Sequence, residues 1–430
     1  MKTILDQEEM PSNFYNIQAD LPRPLDPPLN PATRQPITPD MFEPLFPKEI
    51  IRQEVSSQKY IPIPEEVREA FLRLGRPTPL YRAKRLENYL KTPARIYFKR
   101  EDMNPCGSHK PNTAIAQAYY AMKEGVETLA SETGAGQWGT ALAYATMLFG
   151  LKCKVFMVRV SFDQKPQRKT LMNLYGAEVT SSPSNKTSIG KKFLAKDPEH
   201  PGSLGIAISE AIETTVMGKN TKYSLGSVLN HVLMHQTIIG QELLLQLKML
   251  DETPDLMIGC VGGGSNFGGF AFPLMEKKIK GKVDTQFIAV EPTAAPSITK
   301  GKYDYDFGDA GQMTPLLKMH SLGHAFIPSK IHAGGLRYHG MAPLVSLLAD
   351  EKYIQARAVE EKAVFDAAAI FSHTEGIIVA PESAHAIKVV IDEALAAKRA
   401  NERKTIVFNL SGHGLLDLNG YEQYLKGEIK

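Results

Sequence analysis

Short apolar runs alternate with segments of helical periodicity along most of the chain. The runs typical of buried strands cover residues 95–99, 128–131, 153–160, 177–180, 256–261, 286–290 and 406–410. Apolar positions at helical spacing predict helices over residues 112–123, 137–149 and 166–175. Strands that alternate with helices in this way favour a mostly parallel sheet. Because the pattern occurs in two series, the sequence predicts an α/β protein with two doubly wound domains.

The first 48 residues depart from this pattern and hold ten of the 29 prolines. Such a segment cannot build a core of its own, so we interpret it as an extended arm along the body, with a disordered tail as the alternative. We predict an arm over residues 1–60, an N-terminal α/β region over 61–225 and a C-terminal α/β domain over 226–430, with the domains interleaved along the chain. Breaks at Ser, Pro and Gly over residues 183–222 favour a mobile lid.

A strand that ends in three glycines is the first candidate for chemistry. Residues 255–261 run into Gly262, Gly263 and Gly264, and Ser265 and Asn266 then begin a predicted helix. The backbone N–H groups of such a loop and the positive end of the helix attract an anion. Alone, the loop also fits a plain strand–helix turn, and it matches neither a P-loop nor the dinucleotide-binding glycine pattern.

Lys110 lies far upstream of that loop, in the run GSHKPN of residues 107–112. In isolation this lysine fits a solvated residue at a helix start. Together with an anion-binding loop, however, it gives an enzyme the two groups needed to hold pyridoxal 5′-phosphate, namely an imine-forming amine and a phosphate cradle.

Residues 129–139 form a third segment, which joins a predicted strand to a predicted helix. A hydroxyl and several backbone N–H groups at a helix start suit the carboxylate of an amino acid. The residues predicted to bind substrate here are Thr133, Gly134, Ala135, Gly136 and Gln137. Glu132 enters the loop beside them, where desolvation would raise its pKa toward the range of an acid/base catalyst. The alternative is a surface glutamate before a capped turn.

Two further segments contribute, HTEGI at residues 373–377 and a strand with a glycine turn at 405–414. Ser411 follows that strand, at the carboxyl edge where open α/β sheets bind ligands. Each segment alone also fits a helix cap or a tight turn.

Together, the motifs SHKPN, SETGAGQWG, VGGGSN, TEGI and LSGHG resemble those of the tryptophan synthase beta chain in order and spacing, from about Gly75 to about Leu418. SHKPN and the segments 319–325 and 333–340 resemble its longer, second type. The resemblance implies PLP fold type II, with pyridoxal 5′-phosphate between the two domains.

The resemblance also implies roles for single residues. Lys110 would hold the cofactor as an imine and remove the Cα proton, and Glu132 would assist the leaving group and then the indole nitrogen. The other implied cofactor contacts are His109, Gly262, Gly263, Gly264, Ser265 and Asn266 at the phosphate, Ser411 at the pyridine nitrogen and Glu375 near the ring oxygen. The implied reaction converts L-serine or O-phospho-L-serine and indole to L-tryptophan through an aminoacrylate, the last step of tryptophan biosynthesis.

Arg337 marks a departure from the main type of the family, which carries an aspartate that contacts the serine hydroxyl. An arginine reverses the local charge and presents a planar fork that matches a phosphate. The sequence therefore predicts that Arg337 binds substrate and that O-phospho-L-serine rivals L-serine as donor. The alternative is that Arg337 pairs with a nearby carboxylate.

Other enzymes of this fold share the lysine and both loops, so a serine/threonine dehydratase, a threonine synthase and a cysteine synthase stay as alternatives. A non-catalytic binding subunit is a further alternative from a different class. Glu132 directly before TGAGQ, together with GGGSN, favours tryptophan synthesis.

Composition changes this picture little. With 43% hydrophobic and 23% charged residues and a net charge of +3, the chain is typical of a soluble globular protein without a nucleic-acid partner. Three cysteines without a C-x-x-C pattern favour the cytoplasm, and no signal peptide or membrane span is predicted. The resemblance adds a homodimer, a weak or transient contact with a tryptophan synthase alpha chain and, by analogy, a monovalent cation.

Overall fold

The computed structural model describes residues 2–429. Its strands in chain order are β1 (Lys2–Thr3), β2 (Asn13–Tyr15), β3 (Tyr60–Pro62), β4 (Leu80–Arg82), β5 (Arg95–Arg100), β6 (Thr128–Thr133), β7 (Lys152–Val158), β8 (Glu178–Ser182), β9 (Thr221–Tyr223), β10 (Leu256–Cys260), β11 (Gln286–Pro292), β12 (Lys302–Phe307), β13 (Leu316–Ser321), β14 (Ile354–Val359) and β15 (Thr405–Leu410).

The α-helices in chain order are α1 (Lys48–Glu54), α2 (Glu65–Leu74), α3 (Lys84–Leu90), α4 (Pro111–Lys123), α5 (Gln137–Phe149), α6 (Arg159–Gln164), α7 (Pro166–Leu174), α8 (Ser188–Lys196), α9 (Leu204–Met217), α10 (Asn230–Gln236), α11 (Ile238–Met249), α12 (Ser265–Ile279), α13 (Ser297–Lys300), α14 (Pro343–Asp350), α15 (Glu361–Glu375), α16 (Pro381–Ala400) and α17 (Leu418–Leu425). Strands and helices alternate over most of this order, as the sequence predicts.

Seven strands form the larger sheet, in the order β1-β4-β5-β15-β10-β11-β14. Neighbours are parallel from β5 to β14, whereas β4 runs antiparallel to both β1 and β5. Every residue of β10 and β15 is buried, because helices cover both faces of a central parallel strand. The carboxyl ends of these two neighbouring strands therefore meet at one edge of the sheet.

Four parallel strands form the smaller sheet, in the order β8-β7-β6-β9. These strands lie between β5 and β10 along the chain, so the larger sheet takes strands from both sides of the smaller one. β5, from the predicted region 61–225, pairs with β15, from the predicted region 226–430, through Phe98 and Phe408. The domain boundary at residue 225 stays a prediction. Hydrophobic patterns show that a strand exists but not which strand it pairs with.

The proline-rich N-terminal segment packs against the body. β1 pairs with β4, and the backbone N–H of Leu29 donates to the carbonyl of Leu316 at 2.9 Å. Phe14 and Tyr15 are buried in the main core. The segment is not extended throughout, because it includes α1 and short 3-10 helices at Gln7–Glu9, Ile17–Asp20 and Pro39–Phe42.

Residues 183–222, predicted to belong to a mobile lid, contain α8 and α9. Most residues of α9 are buried, and this helix packs on β6 and β7. The buried carboxylate of Glu210 accepts hydrogen bonds from the hydroxyl groups of Ser184 and Thr187, both at 2.6 Å. Apolar residues on nearly all sides of α9 hide its helical period in the sequence. Mobility of the segment stays a prediction.

Across residues 2–429, no helix is long and apolar enough to cross a membrane. The same residues contain no group of three or more His, Cys, Asp or Glu side chains that could hold a metal ion. Cys106, Cys153 and Cys260 are buried free thiols.

Candidate active site

A cavity lies where β6, β10 and β15 end. Most of the residues predicted to form the site line it, namely His109, Lys110, Glu132, Thr133, Gly134, Ala135, Gln137, Gly262, Gly263, Gly264, Ser265, Asn266 and Ser411. Gly136, Arg337 and Glu375 do not line this cavity.

Lys110 immediately precedes α4, on a loop that is fixed to the end of β15. The backbone N–H of His109 donates to the carbonyl of Ser411 at 3.0 Å, and Ser108 pairs with Gly412. Burial lowers the pKa of the Lys110 amine, and the nearby carboxylate of Glu382 partly opposes that shift. An amine that loses its proton more readily is what an imine-forming lysine needs.

The glycine loop connects β10 to α12 and approaches a second backbone segment closely. Gly264 has φ of 103°, a left-handed conformation that glycine adopts at no steric cost. A Cβ atom on Gly262 would lie 2.4 Å from the carbonyl oxygen of Gly335, so this position has no room for a side chain. The Asn266 amide donates to the Cys260 carbonyl at 2.9 Å, and this bond holds the loop in place. The loop thus presents backbone N–H groups at a helix start.

Two buried nitrogen atoms on the cavity wall lack a partner within the described part of the chain. Nε2 of His109 and Nε2 of Gln137 have no hydrogen-bond partner among residues 2–429. Burial lowers the pKa of His109 to about 3, so its imidazole is neutral, and its one N–H is on Nδ1, which lies 3.3 Å from the Ser411 carbonyl. The unpaired donor is therefore the Gln137 amide, which fits an anionic ligand group. An orphaned buried donor costs free energy unless a ligand satisfies it. These atoms, Lys110 and the glycine loop together fit pyridoxal 5′-phosphate and an amino acid.

Thr133 and Gly136 shape the turn between β6 and α5. Thr133 accepts the backbone N–H of Gly139 at 3.1 Å and so stabilises the start of α5. Gly136 has φ of 93° and faces away from the cavity, where an added Cβ atom would lie 2.8 Å from Cβ of Arg168. The left-handed conformation and the close approach of Arg168 explain the glycine at this turn. A contact between the backbone N–H of Gly136 and substrate stays a prediction.

Glu132 lies near the end of β6 and is buried. Burial raises the pKa of its carboxyl to about 7, while a hydrogen bond from the Tyr223 hydroxyl favours the ionised form. The ammonium of Lys110 acts in the same direction as Tyr223, but more weakly. A carboxyl group with this pKa populates both protonation states near neutral pH, which suits an acid/base catalyst.

Ser411 sits at the carboxyl edge of β15, as predicted. Its hydroxyl lies 2.7 Å from that of Ser383 and 3.6 Å from the Cys260 thiol. The Ser383 hydroxyl in turn accepts the backbone N–H of Gly412 at 3.0 Å. A neutral hydroxyl with fixed hydrogen-bond partners thus faces the cavity.

Glu375 is placed differently from the prediction. It is the last residue of α15, and its carboxylate accepts the backbone N–H of Leu86 at 2.8 Å, outside the cavity. The carboxylate on the cavity wall is Glu382, in the first turn of α16, whose Oε1 accepts the backbone N–H of Gly335 at 2.8 Å. Its Oε2 is buried without a hydrogen-bond partner among residues 2–429. Glu375 thus lies outside the cavity, and the glutamate on the cavity wall is seven residues further along the chain.

Arg337 also lies outside the main cavity. Its Nη2 donates to the carbonyl of Pro328 at 2.8 Å, and burial lowers its pKa. No carboxylate within residues 2–429 forms an ion pair with it, so the predicted alternative partner is not seen either. Arg337 lines a small separate cavity that shares Gly134 and Gly334 with the wall of the main one.

A third, largely apolar cavity adjoins the main one. The side chains of Ile208, Leu225, Val228 and Tyr338 belong to the walls of both. Its remaining walls come from the N-terminal segment and other elements, at Phe42, Leu45, Phe46, Ile212, Tyr223, Leu229, Gly308, Thr314, Pro315 and Leu317. Nothing in the sequence pattern separates these residues from ordinary core residues, so sequence reasoning missed them.

Comparison of folds shows the class of protein. A fungal L-serine ammonia-lyase from Rhizomucor miehei superimposes with a TM-score of 0.62 at 18% identity, over 81% of this chain and 97% of the other. Threonine deaminase isoform 2 from Solanum lycopersicum gives a TM-score of 0.60 at 18% identity, over 85% of this chain and 94% of the other. At this identity the likeness shows the fold alone. A family model described as pyridoxal-phosphate dependent enzyme matches residues 72–412, which confirms the predicted fold class and cofactor.

Sequence relatives narrow this class. Tryptophan synthase beta chain 2 of Methanosarcina acetivorans is 58% identical over 428 residues, covering 100% of this chain and 97% of the relative. The protein of the same name from Pyrococcus furiosus is 58% identical over 430 residues, covering 100% of this chain and 96% of the relative. The chain therefore belongs to the tryptophan synthase beta chain family, second type, within the pyridoxal-phosphate dependent enzymes.

Proposed function

We propose that the protein catalyses the last step of tryptophan biosynthesis, in which indole replaces the hydroxyl group of L-serine to give L-tryptophan and water. One observation carries the proposal. Lys110 and the acid/base candidate Glu132 line the same cavity, and that cavity shares Leu225 and Tyr338 with an apolar neighbour. The names of the beta-chain relatives support the same reaction.

Pyridoxal 5′-phosphate, when bound, supplies the electron sink that makes the Cα proton of an amino acid removable. The Lys110 amine would hold the cofactor and accept that proton, because burial lowers its pKa. The backbone N–H groups at the start of α12 would hold the phosphate, with His109 beside it on the cavity wall. The Ser411 hydroxyl would face the ring nitrogen, where a neutral group stabilises positive charge less than a carboxylate.

The substrate carboxylate would bind at the start of α5. The backbone N–H groups of residues 134–137 lie at this helix terminus, and the orphaned Nε2 of Gln137 is buried on the same wall. This arrangement would fix the amino acid with its side chain toward Glu132.

Glu132 would act in both protonation states. In its protonated form it gives a proton to the departing hydroxyl, which leaves as water. In its ionised form it then accepts a hydrogen bond from the indole N–H and takes up the proton that the indole ring releases as C3 bonds to the substrate. A pKa of about 7 makes both forms accessible at neutral pH.

Indole would bind in the apolar cavity beside the catalytic one. Leu225, Val228 and Tyr338 form the shared wall, and burial of a planar apolar ring against them is favourable. These apolar walls would also keep water from competing with indole.

The test is to supply L-serine with and without indole to the cofactor-loaded protein. We expect tryptophan as the main product with indole, and little pyruvate. Pyruvate as the main product in the presence of indole would instead favour a dehydratase, the activity that structural neighbours of this fold carry by name.

The assembly and the compartment are further parts of the proposal. Family resemblance supports a homodimer, a weak or transient contact with a tryptophan synthase alpha chain, and a monovalent cation. Buried free thiols at Cys106, Cys153 and Cys260 support the reducing cytoplasm. A tight complex of the two chain types that survives gel filtration would contradict a transient alpha-chain contact.

A further inference from the structure

Tyr223 and Glu132 lie diagonally across two neighbouring parallel strands. β6 pairs with β9 in a register that sets Ala130 opposite Tyr223. Glu132 is two residues beyond Ala130, and side chains two residues apart lie on the same face of a strand. The register therefore places the tyrosine ring and the glutamate carboxyl on one side of the smaller sheet.

The Tyr223 hydroxyl donates a hydrogen bond to Oε2 of Glu132 at 2.5 Å. Both side chains are buried, with 4% of Tyr223 and 3% of Glu132 exposed. The tyrosine ring lines the apolar cavity, whereas the Glu132 carboxyl lines the cavity that holds Lys110. One residue thus connects the wall of the proposed indole pocket to the proposed acid/base group.

We propose that Tyr223 is a positioning residue for Glu132: its hydroxyl fixes Oε2, turns Oε1 toward the reacting atoms and stabilises the ionised carboxylate that meets indole. The inference rests on the proposed function and deepens it by naming the group that controls its acid/base residue.

Two opposing influences meet at this carboxyl group. Burial disfavours the charged form and raises the pKa of Glu132 to about 7, and the hydrogen bond from Tyr223 is the largest influence in the other direction. The other ionisable groups that face this pair are Lys110 at the start of α4, Tyr338 and Asp309. Burial and the negative charge of Glu132 raise the pKa of Tyr223 above its usual range, so this hydroxyl keeps its proton and remains a donor.

The experiment compares the wild-type protein with Tyr223→Phe, which keeps the ring and removes only the hydroxyl. β-Chloro-L-alanine serves as donor, because chloride leaves without a proton and only the ionised form of Glu132 is then needed. We measure kcat and KM for indole across pH 5.5 to 9.5, a range that brackets the pKa of about 7.

A charge-assisted hydrogen bond contributes roughly 1.5–3 kcal/mol, which corresponds to about one to two pH units. In Tyr223→Phe the midpoint of the fall in kcat on the acid side should therefore shift to a higher pH, by about one pH unit or more. KM for indole should stay within about twofold, because the apolar wall is intact, and kcat should recover at high pH. A purely structural defect would lower kcat at every pH.

Tyr338→Phe is the matched control. Tyr338 is also 4% exposed and lines the apolar cavity, but its hydroxyl donates to the carbonyl of Gly308 at 2.8 Å. In Tyr338→Phe the pH at which kcat falls to half on the acid side should equal that of the wild type, even if kcat itself changes.

A second measurement is independent of turnover. Infrared difference titration should detect a carboxyl band that is absent in Glu132→Gln, and its midpoint should rise in Tyr223→Phe. An unmoved midpoint in both measurements would overturn the inference. Failure of the proposed function would look different, since the wild-type protein itself would then form no tryptophan.

Discussion

Glu382 accepts the backbone N–H of Gly335 at 2.8 Å and thereby ties the start of α16 to the loop that crowds Gly262. The same carboxylate has its second oxygen buried and without a partner among residues 2–429. Its negative charge is the largest influence that opposes the drop in the pKa of Lys110 caused by burial. This geometry places the Glu382 carboxylate on the wall of the cavity that Lys110 also lines.

Glu382→Gln should weaken or redirect the chemistry while the fold survives. The amide removes the negative charge beside Lys110, so the amine should lose its proton more readily and the cofactor absorption of the protein should change its dependence on pH. We expect kcat to fall by about 10-fold to 100-fold, below the full effect of an acid/base group. Visible absorption against pH and steady-state rates check this.

Glu375→Gln provides the control, because Glu375 bonds to Leu86 N–H outside the cavity. Its spectrum and its turnover should resemble the wild type. A large loss of turnover in Glu375→Gln, with none in Glu382→Gln, would restore the original interpretation of the TEGI motif.

The two glutamates illustrate what a sequence can predict. The motif HTEGI locates the end of α15, where Gly376 adopts φ of 71°, and that helix end was predictable from glycine alone. Which glutamate faces the cavity depends on the direction in which α16 leaves the turn, and local sequence does not encode that direction. The strand β5 is similar, because its apolar pattern is clear but its pairing with β15 depends on contacts distant in sequence.

Residues at strand ends were easier to predict. Lys110, Glu132, Ser411 and the glycines 262–264 line one cavity because parallel strands place their carboxyl ends at one edge. The apolar cavity was not predictable, since Phe42, Leu45 and Phe46 come from the proline-rich segment and are indistinguishable from core residues by composition.

Lys110→Ala should abolish turnover and the visible absorption of a lysine-bound cofactor. The reason is that Lys110 is the amine on the cavity wall whose pKa burial lowers. Absorption at about 410–430 nm, the general range of such cofactor–lysine imines, and its response to borohydride check this. Turnover near the wild-type rate would exclude Lys110 as the cofactor lysine.

Glu132→Gln should bind the cofactor normally and lose roughly 10²–10⁴ in turnover, the usual range for a positioned acid/base group. Its remaining rate should no longer change with pH around 7, where the pKa of the native carboxyl lies. Rates from pH 5.5 to 9.5, with absorption as the check on cofactor loading, measure this. An unchanged rate would reduce Glu132 to a loop residue.

A buried ion network should contribute strongly to stability, and it joins Arg76 and Lys99 to Glu101 and Glu242. Arg76 donates to Glu101 at 2.9 Å, and both side chains are 1% exposed. The guanidinium holds the pKa of Glu101 at about 2 although burial acts the other way. Since the folded pKa is below the unfolded value, this contribution is complete above about pH 5 and is lost as the pH falls toward 2.

Glu101→Gln should therefore lower the free energy of unfolding by about 3–5 kcal/mol at pH 7, because it leaves a buried charge uncompensated. The difference from wild type should shrink in acid. Glu178→Gln is the control, since its partner Lys186 is exposed and such pairs contribute about 0–1 kcal/mol. Urea unfolding at pH 7 and pH 4 compares the three proteins, and equal stabilities would contradict the role of the network.

We predict that Arg337 decides whether the enzyme prefers L-serine or O-phospho-L-serine as substrate. Its guanidinium is buried, holds the Pro328 carbonyl at 2.8 Å and lines a small cavity that shares Gly134 and Gly334 with the main one. A phosphate on the substrate side chain that reached this small cavity would pair with an otherwise uncompensated charge. O-phospho-L-serine should then equal or exceed L-serine in kcat/KM, and Arg337→Ala should reduce the phosphoserine value alone by about 10-fold to 100-fold.

Arg159→Ala is the matched control, because Arg159 also donates to proline carbonyls, at Pro198 and Pro183, but lines neither cavity. Equal losses for both donors in Arg337→Ala, or a clear preference for L-serine in the wild type, would show that Arg337 only fastens the loop at Pro328.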